Sequence, residues 1–173
     1  MNENKKSSLL IVDDEQINLM ALSTILSAEY EIFTADSGIN AIEKAKETQP
    51  DVILLDIVMP DMDGYAVITE LKKDEKTKDI PIIFITGLNS VDDEKKGLVL
   101  GASDYITKPF SPSIVKLRIQ HQIKIVRQIQ ATNNDVEKQL IEMCLEAGMD
   151  NDRVKSLDKE LFVEILKEYF SVE

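Results

Sequence analysis

Asp13, Asp14, Asp56, Thr86 and Lys108 are the side chains whose types and positions could do chemistry, because each stands where a short strand-length run, most of them apolar, ends. The run 8–12 leads into Asp13-Asp14-Glu15, 52–55 into Asp56, 82–85 into Thr86-Gly87, and 104–107 into Lys108-Pro109. Three carboxylates brought together repel one another, and a fold keeps them ionised only where a cation compensates. Their hard oxygen atoms suit a divalent hard metal. Mg²⁺ needs only one or two direct carboxylates, since it keeps waters and recruits phosphate oxygens. A nucleophilic carboxylate, a metal, a lysine and a hydroxyl form a set suited to phosphoryl transfer. Asp56 would attack, Mg²⁺ and Lys108 would neutralise charge on the transferred group, and Thr86 would donate a hydrogen bond to the product. Any one of these residues alone reads as a surface ion-pair partner; all five in this order do not.

The elements that must position them follow from the apolar spacing. Runs of four or five apolar residues are long enough for strands buried on both faces and too short for helices. Between them, helical spacing recurs: Ile17, Met20, Ala21, Thr24 and Ile25; Ala41, Ile42 and Ala45, with Ser37 as a cap; Ala66, Ile68, Thr69 and Leu71; and 91–100, stopped by Gly101. Tyr30 to Ala35 alternates as a further strand. Five strands alternating with helices predict an α/β fold, a parallel doubly wound sheet, and in such a sheet all strand carboxyl ends lie along one edge. After Asp56, Met59-Pro60 and Asp63-Gly64 break the chain, which holds the carboxylate at the mouth of a loop.

The chain has 173 residues, 43% hydrophobic and 30% charged, enough for one ordinary domain and a modest appendage. Its net charge of −12 is uneven: residues 1–110 carry 21 acidic and 11 basic side chains, 111–130 carry four basic and no acidic ones, and 131–173 carry 11 acidic and five basic. That balance makes nucleic acid an unlikely partner, and the basic stretch from Lys116 to Arg127 reads as a solvated helix face. No apolar run approaches the roughly 20 residues that span a bilayer, and the polar start MNENKKSS lacks a signal-type stretch. A cytoplasmic protein with no membrane partner is expected. The single cysteine, Cys144, can form no internal disulfide and reads as a small packing residue.

With these residues in place, the sequence resembles the receiver (CheY-like) domains of bacterial two-component response regulators. The matching stretches are VDDE (Asp13, Asp14), DIVMPDMDG from Asp56, ITG (Thr86) and KPF (Lys108, Pro109, Phe110), within roughly 8–125. The resemblance implies a flavodoxin-like fold and phosphorylation of Asp56 by a sensor histidine kinase or a phosphotransfer protein. It implies Mg²⁺ held by Asp14 and Asp56 directly, by Asp13 through water and by the backbone carbonyl of Val58. Thr86 and Tyr105 stand at the family's switch positions, where the ring turns inward as the hydroxyl moves toward the phosphoryl group, and the Lys108-Pro109 bond is a cis candidate. Such a domain is no enzyme beyond supporting its own phosphorylation and dephosphorylation. Val58 and Leu88, two positions after Asp56 and Thr86, are apolar where many relatives carry polar groups. They cannot orient an attacking water, so a long-lived phosphorylated state is expected.

From Val115 the apolar spacing changes. Val115, Ile119, Gln122, Val126, Ile129, Asn133, Val136, Leu140 and Met143 follow alternating steps of four and three, as a coiled-coil seam does. An extended last helix over 114–145 is expected, with Ile114, Leu117, Ile123 and Ile125 facing the receiver and Gln122 and Asn133 setting register in a homodimer. A break and new cap at Thr132-Asn133-Asn134-Asp135 is the competing arrangement. Residues 1–7 are expected to be disordered. Residues 146–173 are expected to form a small all-helical appendage, with an amphipathic helix from Leu157 to Phe170 capped by Asp158. A faint echo of 101–113 in 148–160 reads as chance, and His121, in HQIKI, as a packing or solvent residue.

The expected function is therefore a phosphorylation switch that controls self-association or docking of a downstream protein. One alternative is the receiver fragment of a larger diguanylate cyclase or cyclic-dinucleotide phosphodiesterase regulator. An Asp-nucleophile phosphohydrolase is less favoured, because Val58 occupies the place of its second aspartate. Nucleotide or flavin binding loses because acids, rather than a glycine-rich loop, follow the first strand.

Overall fold

The computed structural model describes residues 6–87 and 91–146. Leu88, most of the N-terminal segment and the expected appendage after 146 lie outside the described residues. In order, the elements are β1 (Ser8–Val12), α1 (Gln16–Leu26), β2 (Glu31–Ala35), α2 (Gly38–Thr48), β3 (Val52–Leu55), α3 (Gly64–Lys73), β4 (Ile82–Thr86), α4 (Val91–Val99), β5 (Asp104–Thr107) and α5 (Pro112–Glu146). The strands form one parallel sheet in the order β2-β1-β3-β4-β5, as the alternating pattern predicts.

Because side chains alternate across a strand, each apolar run serves two layers. Leu9 and Ile11, Val52 and Leu54, Ile83 and Ile85 pack with Leu19, Leu22 and Leu26 of α1 and with Val115, Ile119 and Ile123 of α5. Leu10 and Val12, Ile53 and Leu55, Ile82 and Phe84 pack with Ala41 and Ala45 of α2 and with Val67, Ile68 and Leu71 of α3. Full burial of such a side chain stabilises by roughly 1.5–3 kcal/mol, so the central strands form a rigid support for whatever their ends carry.

Local chemistry fixes the helix ends. Ser37 caps α2 by accepting the Asn40 N–H at 3.3 Å, and Asp63 caps α3 by accepting the Ala66 N–H at 2.8 Å. Each cap contributes about 1 kcal/mol. After α3, the buried Thr77 hydroxyl donates to Leu71 O at 2.7 Å, and the Lys72 ammonium donates to Lys78 O and Ile80 O at 2.7 and 3.1 Å. Burial pushes the Lys72 ammonium below its ordinary pKa, against the opposing pull of Asp79.

The chain divides after Val126 into two compact units. α5 is continuous through Thr132-Asn133-Asn134-Asp135, and the Thr132 hydroxyl donates to Gln128 O at 3.0 Å within the helix. The expected facing of its first half is corrected in part. Val115 and Ile119 are fully buried, Gln122 is 6% exposed, and its amide donates to Ser103 O at 3.4 Å. Ile114 and Leu117, expected to face the receiver, are 45% and 60% exposed, while Ile123 is buried as expected. In this first half, then, the stripe read as a seam is core. In the second unit, Ile129, Val136 and Met143 continue the same spacing and are exposed.

Candidate functional site

Strand β3 delivers Asp56 to the carboxyl edge, and the Asp56 N–H donates to Val12 O at 2.9 Å. That bond sets Asp56 beside the end of β1, from which Asp13 and Asp14 emerge. One carboxylate oxygen from each of the three lies within 4.8 Å of the others. Asp13 and Asp56 are 2% and 6% exposed. Lys108, arriving from the end of β5, places its ammonium 2.8 Å from Asp13 Oδ2 and 2.9 Å from Asp56 Oδ2. Thr86 is fully buried at the end of β4, and its carbonyl accepts the Lys108 N–H at 2.8 Å. The five residues are brought together along one edge, and the Lys108-Pro109 bond is cis.

The loop after β3 depends on Gly64. A Cβ there would lie 2.5 Å from Asp56 O and 2.8 Å from Ile57 Cα, so only glycine allows α3 to start this close to the strand end. The Gly64 N–H donates to Ile57 O at 2.9 Å and closes the loop. Within the loop, Val58 is 59% exposed and its N–H donates to Asp56 Oδ1 at 3.4 Å.

The electrostatics divide the pair. Burial pushes the Asp56 carboxyl above its ordinary range, which outweighs the opposing hydrogen bond and charge of Lys108; Asp13 adds to the rise. Burial also pulls the Lys108 ammonium down, but its hydrogen bonds to Asp13 and Asp56 and their charges together prevail, and its pKa is raised. Burial thus disfavours the charged form of Asp56, and Lys108 offsets that cost only in part. A hard divalent cation is what such a donor set fits: three clustered carboxylates offer anionic oxygen and no soft ligand.

Asn18 was not singled out in the sequence, yet its amide donates to both oxygens of Asp13 at 2.9 and 3.0 Å and to Glu15 at 3.0 Å. The signal was available: Asn18 sits in the first turn of α1, where a short amide can reach back to the preceding loop. Tyr105, the expected switch ring, is partly buried and meets Phe84 edge-on at 6.2 Å; Phe84 in turn meets Tyr65 at 5.6 Å. Lys96 of α4 lies 3.9 Å above the Tyr65 ring. Among the described residues, no helix is long and apolar enough to cross a membrane.

The comparisons agree with this geometry. The family model for the response regulator receiver domain matches residues 9–120. A probable transcriptional regulator, ycf27, of Porphyridium aerugineum is 40% identical over 131 residues, covering 75% of this chain and 53% of that protein. A probable cyclic di-GMP phosphodiesterase of Vibrio cholerae is 39% identical over 137 residues, covering 78% of this chain and 31% of that one. The chain thus spans about half or less of the length of these curated relatives. The structure of the chemotaxis protein CheY4 of Vibrio cholerae superposes with a TM-score of 0.64 at 31% identity, covering 67% of this chain and 98% of that one. The α/β sheet order, the clustered carboxylates and these matches converge: the chain belongs to the response regulator receiver domain family.

Proposed function

We propose that Asp56 accepts a phosphoryl group from the histidine of a sensor kinase or phosphotransfer protein. An Asp56 carboxylate oxygen bonds to phosphorus as the P–N bond to the imidazole breaks, and the released imidazole takes up a proton. Asp13, Asp14, Asp56 and the carbonyl of Val58 would hold Mg²⁺, which when bound supplies positive charge to the transferring oxygens. Lys108 neutralises the same charge from the other side, Thr86 turns its hydroxyl to the acquired oxygens, and Tyr105 follows. The observation that carries this reading is the buried Asp56 carboxylate, held 2.9 Å from Lys108 among two further carboxylates.

Residues 8–125 are the receiver in this reading, 114–145 the extended helix, and 146–173 a helical segment. The protein acts in the cytoplasm without an activity on other substrates, and its output is association: a homodimer through the exposed half of α5, or docking of a downstream protein. The test is intact mass after incubation with phosphoramidate, with and without Mg²⁺. A single added phosphoryl group that needs Mg²⁺ and is absent from Asp56→Asn is expected; uptake by Asp56→Asn at the parent's rate would overturn the assignment.

A further inference from the structure

We infer that the homodimer is a parallel, in-register pair of α5 helices, fixed by Asn133 meeting Asn133 of the second copy. The inference rests on the self-association reading above and adds its orientation and register. Once Val115, Ile119 and Gln122 are recognised as receiver core, the seam left for a partner begins at the half-buried Val126 and runs through the exposed Ile129, Asn133, Val136 and Met143, with Leu140 at the same spacing in the sequence. In the heptad these alternate as a and d positions, with Val126, Asn133 and Leu140 at a. Ile129, Val136 and Met143 are 55%, 48% and 46% exposed, and Asn133 is exposed between them.

A second copy of this chain is the occupant that Asn133 favours. Its amide is both donor and acceptor, so two copies at one level satisfy each other. An antiparallel pair centred on the seam would instead set Asn133 against Val136 and Val136 against Asn133. That arrangement buries two amides without partners, at roughly 1–3 kcal/mol each. The Thr132 hydroxyl is already engaged with Gln128 O of its own helix and does not compete for the amide. In the parallel pair the flanking Thr132 lies across from Glu137, so no like charges meet there.

The seam from 126 to 143 is about 27 Å long, short for a coiled coil, and so its association is weak enough for a change in the receiver to tip it. Asn133 contributes orientation at some expense of strength, which matches a switch better than a permanent clamp.

The experiment uses the full chain with Cys144→Ser as background. Ile129→Cys, which leaves Asn133 in place, is oxidised alone, and separately in an equal mixture with Leu140→Cys, the position an antiparallel pair would set opposite 129; each variant is also weighed by light scattering with Mg²⁺ and beryllofluoride. The expected result is a disulfide-linked Ile129→Cys dimer, with the mixture giving only like-with-like links. Asn133→Val, which needs no thiol, is expected to associate about tenfold or more tightly and to lose its single oligomeric state, as seams without the polar residue do. Preferential cross-links between 129 and 140 would overturn the inference in favour of an antiparallel pair. A chain that stays monomeric throughout would overturn it too. A monomer that still takes up a phosphoryl group fails only the seam, whereas a cross-linked dimer that takes up none fails only the phosphoacceptor reading.

Discussion

Two aspartates bracket β3, and their surroundings differ in the way that matters for function. Asp51, at the amino edge of the sheet, accepts the Ser8 N–H at 2.7 Å and the Ser8 hydroxyl at 3.3 Å, and it stands exposed. Its charge is solvated and its geometry ties β3 to β1. Asp56, five residues on, is buried, receives one long backbone hydrogen bond of 3.4 Å, and shares its lysine with Asp13. The first carboxylate stabilises the fold, whereas the second is held by the fold in an environment that favours its neutral form. A residue held against its preference on a rigid support is available to a ligand; one already satisfied is not.

The largest effect separates the two ends outright. Asp56→Asn should abolish phosphoryl uptake, while Asp51→Ala should leave uptake near the parent level and lower stability by about 1 kcal/mol through its lost hydrogen bonds. Comparable loss of uptake in both would mean that the edges are not distinct. Next in size, Gly64→Ala should destabilise by about 3 kcal/mol in denaturant melts, because the new methyl meets backbone rather than a movable side chain. A near-neutral result would show that the loop holding Asp56 is not pinned.

Mg²⁺ at ten times its dissociation constant should stabilise the parent by about 1.4 kcal/mol, and Asp51→Ala equally. Asp14→Asn should respond less at the same concentration. The carboxyl itself offers a subtler contrast. Its folded pKa is raised, so ionised Asp56 is a net cost that is present above that pKa and disappears as pH falls through it toward the ordinary value of 3.8. Without metal, Asp56→Asn should therefore melt higher than the parent at neutral pH, with the margin closing in acid. A margin that widens in acid would reverse the sign assigned to burial. The smallest effect is expected from Val58→Asn with Leu88→Glu, which should speed dephosphorylation by about tenfold or less by giving water polar partners. An unchanged rate would remove the apolar side chains as the reason for a long-lived state.

Much of this was legible in the sequence because period and termini are strong signals. Four-residue runs such as Val52–Leu55 cannot be helices, and a parallel sheet gathers their ends on one edge, so Asp13, Asp56, Thr86 and Lys108 could be placed together before any contact was known. The facing of α5 was not legible. Ile114 and Leu117 lie on a stripe beside Val115 and Ile119, both stripes are apolar at helical spacing, and only tertiary packing chooses between them. Gln122 shows the cost of that ambiguity: read as a polar seam residue, it is a buried amide bonded to Ser103 O. The anchoring of Lys72 to Lys78 O and Ile80 O and the stacking of Lys96 on Tyr65 were equally out of reach, since a lysine on a helix usually faces water.

The most direct test of the central claim is to locate the acyl phosphate. After phosphoramidate and Mg²⁺, borohydride reduction would convert a phosphorylated aspartate to homoserine, and peptide mass mapping would show where it lies. Homoserine at position 56 and nowhere else is the predicted result. Homoserine at 13, 14 or 51 with none at 56 would contradict the reading of the β3 end as the phosphoacceptor.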